Sequence, residues 1–232
     1  MSNRPEERKI KMKSLSPNDF ICLNDYATEA PFRVHLDYAH DDNLAFGERI
    51  YKTDATLWAY KPLGELTLQA CKAIHRDHGL HMVIYDCLRT TTAQEKMLHT
   101  KRVKDNPHWL EEPRLLSPPG AGGHPRGMAI DISLETADGV LLDMGTPFDY
   151  LSEDSSPETN PAHREHPHLT QQVRANRKIL DDAMMSAASA LGIELLPLPQ
   201  EWWDFRLPPH INEQFAPLSD QDFPKEMRCC ED

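Results

Sequence analysis

The chain has no run approaching the roughly 18 continuous apolar residues that a membrane-spanning helix needs, so no helical span is expected. Its first residues, MSNRPEERKIKMKSL, are charged and lack an apolar core, and no secretory signal is read there. Positive charge is also in short supply. Lys and Arg number 25 against 37 Asp and Glu, a formal net charge of -12. Nucleic acid and anionic membranes both need a basic footprint that releases counterions, so neither is an expected partner. Cysteine is sparse: Cys22, Cys71, Cys87 and the adjacent Cys229 and Cys230 make an odd set without zinc-finger spacing. Reduced thiols in a cytoplasmic protein are the expectation. What remains is 232 residues, 39% of them hydrophobic and 27% charged, enough for one substantial globular domain.

Residues 1–18 read as a flexible polar extension, 19–215 as the folded domain, and 216–232 as a C-terminal tail. Apolar residues at 20–23 and alternating ones at 32–36 predict short strands. Leu63, Leu66, Ala70, Ala73 and Ile74 form one stripe of a helix over 62–78, with Gly79 as its C-cap. Residues 81–86 predict a buried strand, 92–104 a helix, and the Pro- and Gly-rich 105–123 a loop. A strand over 128–134 should form a hairpin with 140–144 through Asp138-Gly139. A polar loop over 150–170 precedes a helix over 170–191 and a strand pair within 193–206. The pattern predicts a single α+β domain: a central antiparallel sheet flanked by helices.

Three segments carry chemistry. In Gly122-Gly123-His124-Pro125-Arg126-Gly127-Met128-Ala129-Ile130-Asp131, glycines leave the imidazole of His124 uncrowded and Asp131 falls inside an apolar strand. A buried carboxylate without a partner is costly, and a shared cation would remove that cost. A loop histidine plus an Asp capping a backbone amide would give the same spacing. In Glu201-Trp202-Trp203-Asp204-Phe205, two acids sit among three aromatics. One could complete a ligand set and the other take a proton from water, its pKa raised by apolar walls. An aromatic strand with salt-bridged acids is the bland alternative. In Tyr85-Asp86-Cys87-Leu88-Arg89-Thr90, a guanidinium follows a buried strand, suited to an oxyanion or a carboxylate, although a lone surface Arg is commoner.

Together the segments resemble the D-alanyl-D-alanine dipeptidases of peptidase family M15, the vancomycin-resistance type included, whose pattern is S-x-H-x-x-G-x-A-x-D, a later E-W-W-H and an earlier D-x-Y-R. The matches are His124, Gly127, Ala129 and Asp131, then Glu201, Trp202 and Trp203, with Asp86 and Arg89. Tyr38-Ala39 with Asp42-Asn43, Met144-Gly145 with Phe148-Asp149, and the helix bearing Gln172, Arg174, Asn176 and Arg177 extend the likeness over about 33–207. The resemblance implies a metalloprotease of the dipeptidase kind, a hydrolase cleaving D-Ala-D-Ala or a related small dipeptide. It implies one Zn2+ on the sheet face, held by His124, Asp131 and Asp204, with Glu201 as general base. Arg89 would meet the oxyanion, and Asp149 with Tyr38 the free amino group. A role in cell-wall turnover follows from that substrate.

The likeness breaks at one ligand position. Asp204 stands where the family has His, and its harder oxygen donor brings Mn2+ or Fe2+ into competition with zinc. Gly122 replaces the pattern's Ser and Leu88 its Tyr. A non-catalytic relative that binds cell-wall peptides, and a peptidase of peptidoglycan stem peptides, are the other readings. His210 and the group His163, His166 and His168 are left out of the ligand set as surface or loop histidines.

Overall fold

The computed structural model describes residues 12–112 and 114–230; of the expected N-terminal extension, 1–11 lie outside them. Five strands form the main sheet: β2 (Phe32–Val34), β4 (His81–Asp86), β5 (Ala129–Glu135), β7 (Asp204–Arg206) and β6 (Leu196–Pro197), in that spatial order. β1 (Phe20–Cys22) pairs antiparallel with β3 (Trp58–Tyr60) as a separate ribbon. The mixed α+β class holds, and β4·β5, β5·β7 and β6·β7 are antiparallel. The outer pair departs from an all-antiparallel sheet, because β2 runs parallel to β4. The connection between them contains β3 and α1 (Lys61–His78), long enough for the crossover that a parallel pair requires.

α1 buries Leu63, Leu66, Ala70, Cys71 and Ile74, and it stops at Gly79, whose φ of 67° is the left-handed cap a glycine supplies without strain. α4 (Gln171–Leu191) starts under the Thr170 hydroxyl, which accepts from the Val173 amide, and buries Leu180, Met184, Ala187 and Ala188. α1 and α4 pack on one another, α1 also on β4 and α4 also on β5. The expected helix over 92–104 is two, α2 (Thr91–Leu98) and α3 (Lys101–Asp105). Thr100 ends one by donating to the Met97 carbonyl and caps the other by accepting from the Val103 amide. The hairpin expected after β5 reduces to a single bridge between Glu135 and Leu141.

The segment from residue 216 is not a tail. Leu218, Phe223, Met227, Cys229 and Cys230 are buried, the first three beside Phe20 and Leu88 and the two cysteines in the main core. The buried Asp220 accepts from the Thr90 hydroxyl and from the amides of Cys229 and Cys230. Residue 13 likewise bridges to Phe215, so the extension is tied down just beyond its described start. Among the described residues no helix is long and apolar enough to cross a membrane.

Along β5 and β7 side chains alternate between faces. Ile130, Ile132 and Phe205 take one face, Asp131 and Asp204 the other, and the register sets these two acids directly opposite one another. On β4 a bulge between Ile84 and Asp86 opposes Asp86, rather than Tyr85, to Asp131. Such an extra residue re-aims a side chain. Here it brings a third acid to the same place.

Candidate metal-binding active site

His124 occupies a short 3-10 turn, His124–Arg126, that feeds β5. Gly127 closes it at φ 61°, and a Cβ there would lie 2.7 Å from the Phe20 ring and 3.0 Å from the Tyr60 amide, so only glycine fits both the conformation and the space. The buried guanidinium of Arg126 donates to the carbonyls of Gly120, Gly122 and Phe215, which fixes the glycine-rich approach. The imidazole is oriented by the Cys87 carbonyl, 2.9 Å from Nδ1. A carbonyl only accepts, so Nδ1 carries a hydrogen and Nε2 is the nitrogen that faces the cleft, able to offer a lone pair to a cation once its own proton leaves. Around Nε2 stand Asp204 Oδ2 at 3.4 Å and Asp131 Oδ2 at 3.6 Å.

An imidazole and two carboxylates are donor types that suit a divalent ion. Asp131 Oδ1 is buried and has no hydrogen-bond partner among the described residues, an unsatisfied oxygen of the kind a cation would engage. Burial disfavours the imidazolium, as does Arg89, yet the Asp131 and Asp204 carboxylates outweigh both and push His124 up to about 10. Whatever draws a proton so strongly draws other cations as well. Burial, with Asp204 next to it, raises Asp131, whereas Asp204 is held low in spite of its own burial because Arg206 and His124 lie against it.

Among the described residues, the acids and histidine that bring one ligand atom each within 4.8 Å of one another are Asp86, His124 and Asp131, a set that has Asp86 in the place expected for Asp204. Asp86, however, faces the Nδ1 side of the ring, 3.5 Å away, the side already bonded to Cys87. Its oxygens accept from Tyr51 Oη and Arg89 Nε, each at 2.7 Å. It therefore buttresses Arg89 and His124 from behind.

The remaining predicted residues converge on the same cleft, which Tyr38, Arg89, Asp149 and Glu201 line together with His124, Asp131 and Asp204. Its volume is about 100 Å³, below the ~300–1,000 Å³ of drug-sized sites. Arg89 donates through Nη2 to Asp131 Oδ2 at 3.2 Å, and its guanidinium lies 5.0 Å from the Tyr38 ring centroid. Asp149 accepts from Tyr38 Oη at 3.0 Å. Among the described residues Asp149 is the non-glycine one with positive φ, 61°, a strained placement that surrounding structure must enforce. Arg177 enforces it from α4, donating to the carbonyls of Met144, Pro161 and His163 on either side of this loop. Burial pushes Asp149 up to about 7, with Arg89 opposing and Asp131 adding to the shift. Burial and then Asp204 push Glu201 up to about 8, against the pull of Arg206.

His210 pairs with Glu194 in the open, as a surface histidine. His163 is buried, accepting the Glu165 amide on Nδ1, and is a packing residue rather than a solvated one. The residue that sequence reasoning missed is Arg206. Its Nε donates to Asp204 Oδ1 at 2.8 Å and its Nη2 to Oδ2. The signal was there: positions 204 and 206 of one strand share a face.

A buried imidazole beside two carboxylates, with two further acids and two guanidinium groups lining one cleft of an α+β domain, suits a hydrolase. A family model described as D-ala-D-ala dipeptidase, Peptidase M15, matches residues 22–224, and the chain belongs to that metallopeptidase family. The D-alanyl-D-alanine dipeptidase of Escherichia coli (strain K12) is 30% identical over 205 residues, 86% of this chain and 94% of that protein. The solved L-Ala D-Glu endopeptidase ChiX of Serratia marcescens aligns with 66% of this chain and 82% of its own, at 15% identity and a TM-score of 0.36, a likeness too loose to carry an argument.

Proposed function

We propose that this protein is a metal-dependent dipeptidase that hydrolyses D-alanyl-D-alanine or a closely related small dipeptide in the cytoplasm. The observation that carries the reading is the placement of His124 Nε2 between Asp131 and Asp204, in one cleft with Glu201 and Arg89. His124, Asp131 and Asp204 would hold one ion, Zn2+ by preference, with Mn2+ and Fe2+ as rivals for a site two-thirds oxygen. Such an ion supplies Lewis acidity and makes water a better nucleophile near neutral pH. The chain's own groups do the rest. Glu201 accepts the proton of the attacking water and returns it to the leaving amine. Arg89, held by Asp86 and Asp131, keeps its Nη1 free of partners among the described residues and meets the charge that develops on the carbonyl oxygen. Asp149 binds the free ammonium group, and Tyr38 holds that carboxylate in place.

The purified chain should release D-alanine from D-Ala-D-Ala, lose that activity with a chelator, and regain it with added Zn2+. Turnover undiminished by chelation would contradict the metal role, and equal hydrolysis of the N-acetylated dipeptide would contradict an ammonium pocket.

The titration of Asp149 gives this pocket a pH signature. Below about pH 7 its carboxyl is largely protonated and cannot pair with the ammonium. As pH rises through 7 the carboxylate forms while the dipeptide amine, with a pKa near ~8, is still mostly charged. KM should therefore fall about five- to tenfold between about pH 6 and pH 7.5. In Asp149→Asn that slope should vanish and KM stay high at every pH. A steady-state KM profile of both proteins checks it; an unchanged slope in the variant would place the ammonium elsewhere.

A further inference from the structure

We infer that Arg206 is a positioning residue that neutralises Asp204, so that the Asp204–Arg206 pair does the electrostatic work of the neutral imidazole the family carries at that ligand position. The inference rests on the metal-site reading above. Its observations are separate from that reading. Asp204 and Arg206 share one face of β7, and the guanidinium grips both carboxylate oxygens in a fork, Nε on Oδ1 at 2.8 Å and Nη2 on Oδ2. Asp204 is fully buried and the Arg206 side chain only 20% exposed, so the pair is a buried one and not a screened surface contact. The strand that carries both is held on each side, Arg206 opposite Ala129 on β5 and Leu196 on β6, so the fork has little freedom to swing away.

Charge explains why a fork is needed. A histidine ligand is neutral, and an aspartate adds a full negative charge to a cleft that Asp131, Asp149 and Glu201 already line. Arg89 is committed to Asp86 and Asp131. Arg206 is the cation that meets Asp204, and the sum over the pair is zero, as for histidine. Oδ2 still faces His124 Nε2 at 3.4 Å while it accepts from Arg206; a carboxylate oxygen has lone pairs for both. The ligand is thus oriented from behind, as outer partners orient metal-binding side chains generally.

The test is a double-mutant cycle read by Zn2+ affinity, from competition with a chromophoric chelator, on the full chain. The four proteins are the wild type, Arg206→Gln, Asp204→His, and the double variant. With Asp204 present, removing the guanidinium loses orientation and gains charge, and affinity should change by less than about tenfold. With Asp204→His the guanidinium is an unpaired cation beside the ion, and its removal should tighten binding by more than about tenfold. Equal factors in the two backgrounds would overturn the inference and leave the metal site standing. Tightening of more than about a hundredfold by Arg206→Gln alone would overturn it too, because Arg206 would then be withholding Asp204 from the ion. Absence of one-to-one Zn2+ binding by the wild type would overturn the metal reading itself. Should Arg206→Gln fail to fold, Arg206→Lys keeps the charge without the fork; affinity within about threefold of wild type supports neutralisation, and a larger change contradicts it.

Discussion

Glu201→Gln is expected to lower kcat by about 10²–10⁴-fold, the usual contribution of a positioned acid–base group, with little change in KM or in Zn2+ content. The amide has the carboxylate's shape but cannot accept a proton. Glu201 makes no side-chain hydrogen bond among the described residues and lines both the cleft and a neighbouring pocket, so the substitution should disturb packing little. Burial and the neighbouring Asp204 carboxylate push Glu201 up to about 8, far nearer the working pH than an ordinary glutamate, which is where a group that must both take and give a proton is most effective. Steady-state rates paired with elemental analysis check the prediction. Wild-type turnover in a variant that still holds its metal would remove Glu201 from the chemistry and leave only its place beside the ligands.

The site was legible in the sequence to the extent that its members are local or strand-encoded. His124 and Asp131 belong to one turn and the strand it feeds, so seven residues of sequence nearly fix their approach. Glu201 and Asp204 belong to a single aromatic turn and strand in the same way. α1 and α4 were legible because periodic apolar stripes end at capping glycines, Gly79 and Gly192. What stayed hidden depends on contacts between distant segments. The alternation at 32–36 marks β2 but not its parallel pairing with β4, and β3 carries no pattern of its own in three residues. The bulge that turns Asp86 towards Asp131 is invisible until two strands are in register. The polar, proline-containing segment after 215 looks like a tail, yet Asp220 satisfies the amides of Cys229 and Cys230 and so allows the segment to be buried. Arg206 was overlooked because a strand-end arginine is usually a solvated one, and the partner that draws it inward is the residue whose identity departs from the family.

Arg89→Met should fail twice over, in rate and in stability, and the two losses have different origins. The guanidinium donates to both Asp86 and Asp131, at 2.7 and 3.2 Å, and both acids are almost wholly buried. Removing it leaves uncompensated buried charge, a loss of about 3–5 kcal/mol, readable as a lower urea midpoint with chelator present so that bound metal does not mask it. The rate should fall by about 10²–10³-fold from the missing oxyanion donor, measured where the variant is still folded. Arg89→Lys separates the two, since a lysine restores the charge but not the fork that spans Asp86 and Asp131. It should recover most of the stability and little of the rate. A methionine variant as stable and as fast as the wild type would overturn both the ion pairing of Arg89 with the two acids and its proposed place opposite the oxyanion.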